Sequence, residues 1–157
     1  MTTRLAIALA ATLGLAMPAY SQAATPATQA AQAANPFFAE SPLPLHYPQF
    51  DKIKDSDFAP AFDAGMAEQL KEMDAIANNP AAPTFENTII AMEKSGQVLD
   101  RATTVFFNLV GTDTNDARNK LRADYSAKFA AHGDAISLNP KLFARIKALY
   151  DQRNELG

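Results

Sequence analysis

A seven-residue recurrence of apolar side chains over residues 85–110 constrains the fold of this chain more than any other feature. Phe85, Ile89, Met92, Gly96, Leu99, Phe106 and Leu109 fall along one stripe of an α-helix, and such a stripe needs a second helix to cover it. Thr84 stands just before it, where a hydroxyl can accept from an orphan backbone N–H, and Glu86 suits the positive end of the helix dipole. The pattern predicts one long helix running to Gly111, about 39 Å at about 1.5 Å per residue. Gly96 lies on the seam, where it either admits a neighbouring backbone or breaks the helix in two.

Three more helical patterns flank this one. The first has Asp57 or a neighbour as cap and Pro60 near its first turn, then Phe62, Met66, Leu70, Met73 and Ile76 on one face. Gly65 in its middle costs about 1 kcal/mol relative to alanine, which suggests a close helix contact there. Asn78-Asn79-Pro80 ends it. Beyond a turn at residues 111–115, Ala117, Leu121, Tyr125, Phe129, His132 and Ile136 mark another helix. Asn139 as cap and Pro140 at the first helical position open a last one, with Leu142, Phe143, Ile146, Leu149 and Tyr150 expected inward. No strand-like alternation and no internal repeat interrupt this series, so the expected class is all-α, antiparallel helices joined by short turns.

The N-terminal third reads differently. Arg4, the apolar run 5–17 and the small-residue exit Ser21-Gln22-Ala23 have the layout of a cleavable secretory signal over residues 1–23. The run is shorter than the roughly 20 apolar residues a membrane span needs, so a periplasmic or secreted chain, free of the membrane after cleavage, is expected. Residues 24–34 hold only Ala, Gln, Thr and one Pro, too little apolar surface to offset ordering entropy, and read as a disordered tether. In residues 35–54 four prolines forbid a continuous helix while Phe37, Phe38, Leu43, Leu45, Tyr47 and Phe50 supply apolar bulk, as in a segment laid extended over a larger body. Residues 55–157 then form the helical region.

Composition excludes several chemistries. There is no cysteine, so neither a disulfide nor a thiol nucleophile exists. The net charge of -3, with scattered lysines and arginines, argues against nucleic acid as a partner. A hydrolytic zinc needs three protein ligands, usually including two histidines one helical turn apart. His46 and His132 are the only histidines, and neither has a histidine or acidic residue at i+4. No metal, cofactor-binding or catalytic residue is therefore assigned. Ser95-Gly96 is no nucleophile elbow. The pairs Asp55/Asp57 and Asp113/Asp116 flank helix starts, where capping explains them better than paired-carboxylate catalysis. The aromatic set Phe85, Phe106, Phe107, Tyr125, Phe129, Phe143 and Tyr150 reads as core rather than as a ligand groove.

Ordered pieces of the mature sequence resemble a known family. They are Asn35-Pro36-Phe37-Phe38, Leu43-Pro44 with Pro48 and Phe50-Asp51, and Pro60-Ala61-Phe62-Asp63 with Gly65-Met66. Pro83-x-Phe85-x-Asn87-Thr88 follows, running on through Glu93-x-Ser95-Gly96 and Leu99, and then Thr114-Asn115 and Leu138-Asn139 with Leu142 to Arg145. Together they resemble the N-terminal region of the bacterial peptidyl-dipeptidases, or dipeptidyl carboxypeptidases, of the thimet oligopeptidase and neurolysin family of zinc metallopeptidases. The resemblance implies a large two-lobed helical enzyme with a channel and a zinc at its floor, held by H-E-x-x-H and a later glutamate, and release of C-terminal dipeptides from short peptides. No H-E-x-x-H occurs in these 157 residues. The chain is thus expected to be the front of such an enzyme, truncated before its zinc site and inactive alone, with the missing C-terminal catalytic region as its natural partner. The competing expectation is a free-standing periplasmic helical module that binds or regulates, using residues 35–53 or the helix over residues 85–110 as its partner surface.

Overall fold

The structure, a computed structural model, describes residues 35–154. The signal and tether readings, over residues 1–23 and 24–34, lie outside the described residues. Four helices dominate: α1 (Asp55–Ala77), α3 (Gln97–Thr112), α4 (Asp116–Ser137) and α5 (Pro140–Asp151), with the single-turn α2 (Ala91–Glu93) ahead of α3. All regular elements among the described residues are helical, as the periodicity requires.

The order of contacts gives the topology. Phe58, Gly65 and Glu72 of α1 meet Phe106, Leu99 and Gly96 in that sequence, so α1 and α3 run antiparallel. Asp55, Phe62 and Gln69 meet Arg118, Tyr125 and His132, so α4 runs parallel to α1 and antiparallel to α3. The α1–α3 crossing is close because Gly65 has no side chain. A Cβ there would lie 2.7 Å from the Leu99 nitrogen and 2.8 Å from its Cα, which is the tight helix contact that Gly65 suggested.

The single long helix expected from residue 85 onward is broken. A wide π turn over Glu86–Ile90 leads into α2, and Gly96 adopts φ 72° before α3 begins. That left-handed conformation costs glycine nothing. The Gly96 N–H, lost to the helical ladder at the break, donates to Glu72 Oε2 at 2.7 Å. Past the exposed Phe85, the rhythm survives the break: Met92 packs against the cluster of Met73 and Ile76, and Leu99 and Phe106 pack with Phe58 and Phe62 of α1.

The start signals hold in kind. The Asn87 N–H donates to Thr84 Oγ1 at 3.1 Å while the Thr84 N–H donates to Asn87 Oδ1 at 2.8 Å, a reciprocal cap. Asn139 Oδ1 accepts from Lys141 and Leu142, with Pro140 at the first helical position. At α1 the cap position is Lys54, and Asp57 reaches back from the first turn to its N–H at 2.8 Å.

The core lies between α1, α3 and α4. Phe58, Phe62 and Phe106 are fully buried, Tyr125 nearly so, and the ring of Phe62 lies 5.0–5.2 Å from those of Phe106, Tyr125 and Phe129. A smaller cluster of Met73, Ile76, Ala77 and Leu142 closes the far end. There the expected orientation of α5 is corrected. Leu142, Arg145 and Leu149 face inward, whereas Phe143, Ile146 and Tyr150 are 63%, 36% and 61% exposed. The inward stripe is chosen by Arg145, whose guanidinium donates to loop carbonyls that the turn after α1 leaves open.

Candidate functional site

Residues able to do chemistry are few, and the fold disperses them. His132 Nε2 lies 2.7 Å from Gln69 Oε1, and its Nδ1 is buried without a hydrogen-bond partner. Burial pushes the imidazole below its ordinary pKa of 6.5. His46 sits in the proline-rich segment, its Nδ1 3.1 Å from the Ser41 carbonyl and 3.8 Å from Glu40 Oε2. The two histidines thus answer to separate partners, and no group of three His, Asp or Glu among the described residues is placed to hold a metal ion. The donor set present does not fit a zinc.

The acidic pairs are taken up by structure. Asp55 Oδ1 accepts from Arg118 Nε at 2.7 Å, and Asp55 Oδ2 accepts from Asn115 Nδ2 at 2.8 Å, which ties the start of α1 to the start of α4. Arg118 also donates to the Asp113 carbonyl. Ser95 Oγ donates to the Met92 carbonyl at 2.7 Å, a helix-end bond with no base beside it. Of the aromatic set, Phe106 and Tyr125 are core. Phe85, Phe107, Phe143 and Tyr150 are exposed, contrary to the expectation that all seven pack inside, because their helices have no layer beyond them among the described residues.

Two arrangements were not legible from residue types. The first is a cavity of about 370 Å³ between the proline-rich segment and α3, lined by Phe37, Pro42, His46, Ile53, Arg101 and Val105 among others. Its roof is anchored at one edge, where Asn35 caps a short turn over Pro36–Phe38, Phe37 packs on Phe58, and Arg101 donates twice to the Phe37 carbonyl at 3.0 and 3.2 Å. Further along, Leu45 and His46 take φ of 57° and 55°, a left-handed pair without glycine, held by Ser41 Oγ donating to the Tyr47 carbonyl at 2.6 Å. The turn leaves Leu45 98% exposed. Proline-rich sequence carries no periodicity from which this path could be read.

The second is the Arg145 node. Its Nη1 donates to the Asn79 and Ala81 carbonyls at 3.0 and 3.1 Å and its Nη2 to Asn87 Oδ1 at 2.7 Å, with no carboxylate involved. The guanidinium pins the loop between α1 and the π turn. The only sequence signal for it is that Arg145 falls at i+3 between Leu142 and Leu149 at i and i+7, a spacing that the apolar Phe143, Ile146 and Tyr150 share.

No family model matches the chain. Similarity to individual proteins is strong. A dipeptidyl carboxypeptidase of Salmonella typhimurium strain LT2 is 46% identical over 123 residues, covering 78% of this chain and 18% of that protein. A dipeptidyl carboxypeptidase of Escherichia coli strain K12 is 45% identical over 123 residues, with the same two coverages. The chain is similar to bacterial dipeptidyl carboxypeptidases over most of its length. It spans 18% of the length of these proteins. The dipeptidyl carboxypeptidase likeness agrees with the family expected from the ordered sequence pieces, and the helical fold agrees with the class expected from periodicity.

Proposed function

We propose that this chain is a non-catalytic helical portion of a secreted zinc dipeptidyl carboxypeptidase, which releases C-terminal dipeptides from short peptides. The observation that carries the reading is the identity of 45–46% to two proteins of that name over a stretch in which no zinc motif occurs. The hydrolytic machinery, with its zinc and water-activating glutamate, would then be supplied by the rest of the enzyme. The residues described here contribute packing and part of a channel wall. Export by the signal at residues 1–23 would place the enzyme in the periplasm, among the peptides it trims. No helix among the described residues is long and apolar enough to cross a membrane.

The mature chain, incubated with zinc and a blocked short peptide, is expected to release no dipeptide. Zinc-dependent release by this chain alone would refute the reading. For export, the periplasmic product of an expressing cell should begin at Ala24 by mass; a product retaining Met1 in the cytoplasm would remove secretion from the proposal.

One observation favours a second reading, a peptide-binding module. The two surfaces such a module would use, residues 35–53 and α3, enclose the 370 Å³ cavity, a size within the usual range for ligand sites. Titrating short peptides into the chain and following the amide signals of Arg101 and Val105 separates the two: saturable shifts there without turnover select the module.

A further inference from the structure

The last helix carries two apolar stripes where a helix at the edge of a small bundle needs one. Leu142, Arg145 and Leu149 form the stripe that meets α1 and its following loop. Phe143, Ile146 and Tyr150 form a second at i, i+3 and i+7, turned by about 100° from the first. The second stripe is bordered on its far side by the ion pair of Lys147 and Asp151 at 2.5 Å, so it is a bounded apolar strip rather than a generally greasy surface. Exposed large apolar residues scattered singly are ordinary, whereas aligned ones mark a contact. Phe107 already leans on the rings of Phe106 and Phe129, and Leu43, Leu45, Tyr47 and Phe50 are exposed along an irregular proline-rich segment that aligns them on no helical stripe. In the strip itself only the Tyr150 ring has a neighbour over it, the Arg153 guanidinium at 4.2 Å.

We propose that Phe143, Ile146 and Tyr150 are the seam on which the rest of a dipeptidyl carboxypeptidase body packs; this rests on the function proposed above. Two arguments choose that occupant. The relatives devote only 18% of their length to the portion matched here, so a much larger body is available to cover the strip. The strip is also too small to hold a separate protein. Its aromatic side chains bury roughly 150–250 Å² each, short of the roughly 800 Å² per partner of a stable free interface. A body joined covalently has no translational entropy to lose and can use a contact of this size.

The test is a graft. Residues 35–157 replace the matching segment of the Salmonella dipeptidyl carboxypeptidase, and soluble yield, thermal unfolding and dipeptide release are measured. The unsubstituted graft is expected to release dipeptide. Phe143→Asp, Ile146→Asp and Tyr150→Asp together should lower active yield about tenfold or more, while Glu68→Gln, on the exposed side of α1, leaves it unchanged. In the full chain by itself Phe143→Asp and Tyr150→Asp together should move the unfolding midpoint far less than they lower active yield in the graft, because those two side chains already face water. A triple-substituted graft as active and stable as the parent overturns the seam and leaves the function reading standing. An inactive unsubstituted graft overturns the function reading and the seam with it. Concentration-dependent dimers of the chain alone, abolished by the triple substitution, would show that a second copy covers the strip and likewise overturn the proposal.

Discussion

Where α1 begins, the interior is closed by rings; where it stops, the interior is closed by hydrogen bonds. At the first end Phe58, Phe62, Phe106 and Tyr125 interlock edge to face and leave almost no polar atom to satisfy, apart from the Tyr125 hydroxyl, which donates to the Ala59 carbonyl at 3.2 Å. At the second end Met73, Ile76 and Leu142 bury less, and the guanidinium of Arg145 gathers the loop. The same helices thus carry one end held by interlocking rings and one whose apolar surface continues outward as Phe143, Ile146 and Tyr150. A ring cluster stabilises through area removed from water, roughly 25 cal/mol per Å². A buried hydrogen-bonded node mainly enforces position, since each bond contributes only about 0.5–1.5 kcal/mol net.

Breaking the ring end should therefore cost most. Phe62→Ala removes the ring that touches Phe58, Phe106, Tyr125 and Phe129, and a loss of about 3–5 kcal/mol is expected, measured by urea unfolding. A loss under about 1 kcal/mol would mean that the ring end is not what holds the bundle together. Next comes the crossing between the two ends. Gly65→Ala should destabilise by about 2–3 kcal/mol, although alanine is the better helix former. The added methyl meets Leu99 backbone, which cannot rotate away, and an alanine variant as stable as the parent would show that α1 and α3 are further apart than described.

The node should cost less and act locally. Arg145→Ala is expected to lose about 1–2 kcal/mol and to speed amide exchange at Thr84 and Asn87 more than in the ring cluster. The Asn79 and Ala81 carbonyls it serves lie in a partly exposed loop where water can replace it. Uniformly faster exchange across α1 and α3 would instead make Arg145 a global support, and the contrast between the ends would fall.

How far the sequence revealed this contrast follows from what periodicity can encode. The ring end was legible in part, because Phe62, Phe106 and Tyr125 each fall on the helical stripe of their own segment, whereas Phe58, one turn ahead of Phe62, was not singled out. Gly65 was legible as a contact since a glycine inside a good helix calls for a reason. Gly96 was ambiguous because a seven-residue rhythm is compatible with one helix or with two pieces facing the same partner; only φ decides, and φ is not written in spacing. At α5 the pattern was misleading. Its two adjacent stripes merge in sequence into one broad apolar set, and nothing in residue type says that the stripe containing an arginine is the buried one. The cavity beneath residues 35–53 was invisible for a further reason, since its wall follows proline-directed turns and two left-handed residues with no repeat to read.

The smallest expected effect sits between the two ends, at His132. Its Nε2 lies 2.7 Å from Gln69 Oε1, a contact that suits a hydrogen on Nε2, and its buried Nδ1 has no partner to accept a second proton's hydrogen bond. Burial holds the folded pKa below the ordinary 6.5. Unfolding releases the ring to water, where it takes up a proton near that ordinary value. Between the folded and unfolded pKa the unfolded chain binds more protons, so stability rises with pH in that window. The contribution is whole above about 6.5 and is lost as pH falls through that value toward the lower folded one. His132→Gln keeps a donor for Gln69 and removes the titration. The urea midpoint of the parent should therefore fall further between pH 7.5 and 5.5 than that of the variant, by no more than one proton's worth of dependence. Equal falls in the two proteins would place the acid sensitivity elsewhere, and would mean that the ring of His132 reaches water in the folded chain.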